Sequence, residues 1–103
     1  MPIKTCSADG KSGYKYGDSG HCYTGKDAKK KAIKQGLAIH YKQGTMDKFE
    51  KEMKSSGSLS KSDLEEIILD PEFTDEDLDI LMDILNLNSI ERLSVASQRK
   101  SLQ

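Results

Sequence analysis

The chain is 103 residues long, 35% hydrophobic and 32% charged, with no tryptophan, which allows one small domain or two very small modules around a modest aliphatic core. A chain of this size buries about 60–65% of its unfolded surface, leaving little room for a deep catalytic pocket. The net charge of −1 hides a division: residues 1–54 carry 12 lysines against 6 acids, a net of +6, and residues 55–103 carry 4 basic residues against 11 acids, a net of −7.

The opening Met1-Pro2-Ile3-Lys4 lacks the apolar stretch of a secretory signal, and no apolar run is longer than three residues, the length reached at Ile67 to Leu69 and Ile80 to Met82. A soluble protein made in the cytosol, without a membrane partner, is expected. Cys6 and Cys22 allow at most one internal disulfide, which a reducing cytosol disfavours, so free thiols are expected. Gly10, Gly13, Gly17, Gly20 and Gly25 interrupt short pieces that contain Ile3, Tyr14, Tyr16 and Cys22-Tyr23. Tyr14 and Tyr16 alternate as in a half-buried strand, and Gly17-Asp18-Ser19-Gly20 reads as a four-residue hairpin loop. A miniature sheet of two or three strands cannot stand alone, so it should pack on the next element of the chain.

That element reads as a helix with Thr24 as N-cap and Asp27 three residues on. At 100° per residue, Ala28, Ala32, Gln35, Gly36 and Ile39 share one face, with Ile33 and Leu37 beside it, and Lys30, Lys31, Lys34 and Lys42 lie opposite. Gly36 in mid-helix costs about 1 kcal/mol against alanine, so a close approach or a local break must explain it. Thr45 then caps a short helix with Met46, Phe49 and Met53 on one side. Ser55-Ser56-Gly57-Ser58 reads as a flexible linker, dividing a basic module, 1–54, from an acidic helical module, 59–103.

In the acidic module Ser60 precedes Asp63, Thr74 precedes Asp77 and Asn88 precedes Glu91 by three residues, each an N-cap followed by an acid, and Asp70-Pro71 breaks the chain. Helices near 61–69, 74–86 and 89–98 are expected. The middle one carries Leu78, Leu81, Met82 and Leu85 on one face and Ile80, Ile84 and Leu87 on another, an apolar arc of about 220° where a surface helix needs about 100°. Neighbouring helices or a partner chain must cover it. Leu78, Ile80, Leu81, Met82, Ile84 and Leu85 are the expected protein interface.

Cys6, His21, Cys22 and His40 are the only soft or imidazole ligands, but their spacing is not the paired Cys-x₂₋₄-Cys and His-x₃₋₅-His of structural zinc. They are weak metal candidates. Asp75, Asp77 and Asp79 suggest calcium, yet Ile80 and Asn86 occupy the positions where an EF-hand needs Gly and Glu; acids at a helix N-terminus suit its dipole instead. Ser62-Asp63-Leu64 reverses the Asp-Ser-Leu of carrier proteins. Neither a P-loop, a dinucleotide fingerprint nor a Ser-His-Asp spacing occurs, so no enzyme, cofactor or small-molecule substrate is expected. Residues 26–42 hold six lysines (Lys26, Lys29, Lys30, Lys31, Lys34 and Lys42) and one acid, with Tyr41 beside them, a candidate non-specific DNA or RNA contact. From Asp63 to Asp83 ten residues are acidic and none is basic, so this run could dock on lysines of its own chain or of a neighbour.

Met1-Pro2-Ile3-Lys4 with Cys6, the run Gly10-Lys11-Ser12-Gly13-Tyr14-Lys15-Tyr16-Gly17-Asp18-Ser19-Gly20, then Cys22-Tyr23 and Ala32-Ile33-Lys34-Gln35-Gly36-Leu37-Ala38-Ile39 carry a resemblance. About the first 40 residues resemble a short module that recurs in small proteins of tailed bacteriophages, often beside head and packaging proteins. The resemblance implies a virion or assembly component, made in the host cytoplasm and bound to other phage structural proteins or to itself. The expected fold is α+β: a small β hairpin packed on a lysine-rich helix, then an acidic bundle of about three short helices. The expected function is non-enzymatic assembly in the head or neck, with non-specific nucleic-acid binding by the lysine helix, or host takeover through the acidic helices, as alternatives.

Overall fold

The computed structural model describes residues 2–101, and over these the chain is α+β, with three strands followed by five helices. Asp9 and Gly10 both take the left-handed conformation, φ 52° and 78°, as a two-residue type I′ turn requires. They fold β1 (Ile3–Ala8) back onto β2 (Lys11–Tyr16), with Ala8 opposite Lys11 and Ile3 opposite Tyr16. The tight hairpin is therefore at Asp9-Gly10. Residues 17–20 belong to a longer connection, ending at Cys22, that leads to β3 (Tyr23–Thr24), paired antiparallel with Tyr14 and Gly13.

The two cysteines are not free thiols: Cys6 and Cys22 form a disulfide, with Cα atoms 6.0 Å apart. Gly13 explains the approach. It pairs with Cys6 on one side and with Thr24 on the other, and a Cβ there would collide with the Tyr23 carbonyl. Only glycine lets β3 curl this closely over β2 and bring Cys22 to β1. An argument from the redox state of the cytosol is blind to such proximity.

Helix α1 (Ala28–Gln43) starts after Asp27, whose side chain makes no capping bond. Thr24 is not its cap but part of β3. The helix buries Ala28, Ala32, Ile33, Gly36, Leu37 and His40, close to the expected face, while Gln35 and Ile39 fall outside that buried set. Gly36 marks a close approach: a Cβ there would stand 2.6 Å from the Tyr16 ring and 2.9 Å from that of Phe49. Gly44, at φ 70°, ends α1, and α2 (Met46–Ser56) returns with Phe49 and Met53 buried. Ser55 and Ser56 belong to the last turn of α2 rather than to a flexible linker; Ser56 Oγ bonds the Met53 carbonyl at 3.2 Å and Ser58 Oγ at 2.7 Å.

The chain divides into two compact units, Met1–Ser58 and Leu59–Gln103. In the second, α3 (Lys61–Ile68), α4 (Asp75–Ile84) and α5 (Ser89–Lys100) each begin with a complete capping box, Ser60 with Asp63, Thr74 with Asp77 and Asn88 with Glu91. Each box satisfies two amides that a helix start otherwise leaves unpaired. Asn86, at φ 55°, ends α4 as a Schellman turn, with Leu87 N–H donating to the Met82 carbonyl and Asn86 N–H to that of Asp83, each at 3.1 Å. Leu64, Ile67, Ile68, Phe73, Leu78, Leu81, Met82, Ile84, Leu87 and Val95 are buried. Among the described residues no helix is long and apolar enough to cross a membrane.

Candidate functional site

Helix α1 holds five lysines and no acid, and its first turn has no acidic side chain to meet the helix dipole. The structure separates the candidate nucleic-acid residues. Lys26 is exposed ahead of the helix. Lys29 lines a groove with Ile3, Lys4, Thr5 and Tyr14 on the sheet side, and Lys30 pairs with Asp27 at 3.3 Å. Opposite the buried stripe, Lys31 and Lys42 are exposed, Lys34 is half-buried and Tyr41 is 44% exposed. These four share one outward face.

The sheet lysines are organised differently. Lys4 and Lys15 stand directly opposite each other on β1 and β2, a repulsive cross-strand pair. Asp18 answers both: its carboxylate bonds and pairs with Lys4, and its carbonyl accepts from Lys15 Nζ at 3.2 Å. The hydrogen bond from Lys4, then its charge, holds the Asp18 carboxyl below the usual range.

His40 lies buried between two hydroxyls, with Nε2 2.6 Å from the Tyr16 OH and Nδ1 2.6 Å from Thr45 Oγ1. This engagement explains why the Thr45 side chain makes no capping bond to α2. The Tyr16, His40 and Phe49 rings pack with centroids 5.3–5.9 Å apart. Burial, and secondarily the Glu52 carboxylate, push the Tyr16 phenol up to about 12.

The weak metal candidates are not a ligand set. Cys6 and Cys22 are bonded to each other, both His40 nitrogens face hydroxyls, and His21 packs edge-on against Tyr23 with centroids 4.7 Å apart. Among the described residues no group of three or more His, Cys, Asp or Glu could hold a metal ion.

The expected interface on α4 is covered within the chain itself. Leu78, Leu81, Met82 and Ile84 are buried, and Ile80 and Leu85 are half-buried. The wide apolar arc is thus core, because a helix between two neighbours buries more than one face. Among the described residues of this unit, the large apolar side chains left exposed are Leu69, Ile90 and Leu93, at 62%, 79% and 70%.

Two arginines, absent from the expected site, tie α5 to the loops of this unit. Arg99 Nη1 donates to the Ile68 and Asp70 carbonyls at 2.8 Å each, and Nη2 donates to that of Phe73. Arg92 Nε donates to the Leu87 carbonyl at 3.1 Å, and its Nη2 meets Asp83 Oδ1 at 2.5 Å. A planar fork suits such multiple acceptors better than an ammonium does. A signal is present in the sequence: the chain's only two arginines lie seven residues apart on one helix. Lys61 adds a 3.0 Å bridge to Glu91; its hydrogen bond, then that from the Asn88 backbone, keeps the Glu91 carboxyl below its ordinary value.

No protein-family model, curated protein or solved structure matches the chain.

Proposed function

We propose that this protein is a non-enzymatic component of a tailed-bacteriophage particle, held in the head or neck by contacts with other structural proteins. The observation that carries the reading is the coincidence of charge and structure. The net of +6 falls wholly within Met1–Ser58 and the net of −7 wholly within Leu59–Gln103, on either side of the boundary between the two compact units. A small protein with two surfaces of opposite sign is suited to joining larger ones through complementary fields.

The resemblance of the first 40 or so residues to a module found beside head and packaging proteins supplies the setting. The disulfide favours a particle, which leaves the reducing cytosol, over host takeover inside it, where the Cys6–Cys22 bond would be disfavoured. Ile90 and Leu93, one turn apart on α5, offer apolar side chains for such contacts. Mass spectrometry of purified virions tests the assignment. A fixed copy number per particle supports it, and absence from particles made by cells that express the protein overturns it. The double variant Ile90→Asp with Leu93→Asp should fold normally and be depleted from particles.

A further inference from the structure

We propose that the groove between α4 and α5 docks a cationic amphipathic helix of a partner protein, which seats apolar side chains in the groove and sets lysines or arginines along its α4 wall. The proposal concerns the acidic unit alone and does not depend on the particle assignment above.

The groove follows from the way the two helices run. The start of α4 meets the end of α5 at Asp75 and Arg99, 3.8 Å apart, and the helices meet again at Asp83 and Arg92, 2.5 Å apart, so they lie antiparallel. Leu78 and Met82 of α4 and Val95 and Ala96 of α5 line the groove beside this pair. Ala96 is exposed, and its single methyl leaves the α5 wall low where a longer side chain would close it. Leu93 lies one turn earlier on the same side of α5 and is 70% exposed, which extends the apolar strip. From Asp75 to Met82 the α4 wall is about 11 Å long, two turns of helix. The groove holds about 270 Å³, below the roughly 300–1,000 Å³ of small-molecule pockets and above the roughly 150 Å³ that accepts a benzene ring. That is room for one or two side chains, the anchors by which an amphipathic helix settles between two others.

Charge defines the kind of helix. Asp75 and Asp79 stand on the α4 wall. The acids of the first turn, Asp75, Glu76 and Asp77, serve the dipole of α4, but Asp79 lies beyond that turn and does nothing for its own helix. The unit has four cations, of which three are committed: Lys61 to Glu91, Arg92 to Asp83, and Arg99 to Asp75 and three backbone carbonyls. The fourth, Lys100, stands on the α5 wall. Among the described residues, Glu76 and Asp79 are exposed and in no ion pair. An uncommitted acid on an apolar rim suits a partner cation whose aliphatic stem lies over the groove while its head reaches the carboxylate.

A second copy of the chain does not supply this occupant. Its basic unit exposes, among the described residues, no large aliphatic side chain to enter the groove. Its exposed aliphatic side chains, Leu69, Ile90 and Leu93, belong to the acidic unit, and seating them here would bring acid against acid. The complement is a different protein that combines both features on one helix.

Nuclear magnetic resonance of the isotope-labelled full chain tests this with three synthetic peptides of about four helical turns. The first has leucines at i, i+4, i+7 and i+11 and lysines on the opposite face, the second has the same residues in scrambled order, and the third has glutamate in place of lysine. The first should bind and shift amides from Leu78 to Met82 and from Leu93 to Lys100, leaving those of Met1–Ser58 in place. The scrambled peptide should bind about tenfold more weakly, and the glutamate peptide should not bind. Ala96→Glu fills the groove while adding an acid, and should weaken the first peptide about tenfold although the field becomes more negative. Asp79→Asn, at an exposed position, should weaken it about threefold and flatten its salt dependence. Glu65→Gln with Glu66→Gln, on α3 and outside the groove lining, removes more charge and should leave the affinity within about twofold. Should Ala96→Glu melt early, Asp79→Asn and the scrambled peptide still decide. No binding of the first peptide, equal binding of the scrambled or glutamate peptide, an unaffected Asp79→Asn, or an α3 variant weakened as much as Asp79→Asn would each overturn the proposal. Groove amides that shift when the chain alone is concentrated would also overturn it, by assigning the groove to a second copy.

Discussion

The two units close their helices in opposite ways. In Leu59–Gln103 every helix start is satisfied by a residue three positions away: Ser60, Thr74 and Asn88 each accept from an N3 amide, and the N3 acid returns the bond. In Met1–Ser58, α1 begins after Asp27 with no side-chain cap and with lysines in place of acids, and Thr45 spends its hydroxyl on His40 rather than on α2. Its order comes from afar. Tyr16 crosses to Gly36 and His40, and Cys6 bonds Cys22 sixteen residues on. One unit is written in local chemistry, the other in long-range contacts, and the two should fail differently.

Removing the long-range link has the largest effect. Cys6→Ser with Cys22→Ser should cost the first unit about 3 kcal/mol, the chain-entropy value for a loop of this size. Hydrogen exchange should show β2 and β3 amides losing protection while α4 amides keep theirs. Equal loss in both units would break the contrast between them.

Next in size come the caps. Thr74→Ala should cost about 1 kcal/mol in chemical denaturation, because it removes the hydroxyl that accepts from the Asp77 amide. Asp27→Ala, at the corresponding position of α1, removes no capping bond, only a partly solvated ion pair with Lys30, and should cost well under half as much. Equal costs would show that α1 depends on its N-cap after all.

The remaining effect is electrostatic and appears only in alkali. Because the folded phenol of Tyr16 is raised from 10.0 to about 12, the stability tied to its neutral form is fully present below pH 10 and is lost as pH climbs through 12. Ultraviolet titration should show a late-titrating phenol that is absent in Tyr16→Phe. A titration curve unchanged by that substitution would remove this mark of the Tyr16–His40 packing.

The contrast between the units also explains how much of each is legible in the residues. Helix starts in the second unit follow from spacing alone, because a capping box needs only an N-cap residue and an acid three positions on. The breadth of the α4 apolar arc demands covering on more than one face, but a helical wheel does not distinguish a partner chain from the chain's own core. Leu78, Leu81, Met82 and Ile84 are core. The hairpin turn is harder to place: Asp9-Gly10 carries the signal of a type I′ turn, yet the glycine-rich stretch after Tyr16 concentrates more turn residues and draws the expectation there.

Among the candidate site residues, periodicity places Lys31, Lys34 and Lys42 on a common outward face, since 100° steps hold for any straight helix. It does not reveal that Lys29 turns toward the sheet or that Lys30 is held by Asp27. By itself the sequence determined the division of charge, the α+β order of elements and the capped starts of α3, α4 and α5, all of which depend on residues within a few positions of each other. Only the tertiary structure decided that Cys6 meets Cys22, that Gly36 admits the Tyr16 ring, that Arg99 gathers three carbonyls and that α4 is core. Each of these joins groups distant along the chain, and their proximity is set by the packing of whole elements rather than by any local preference.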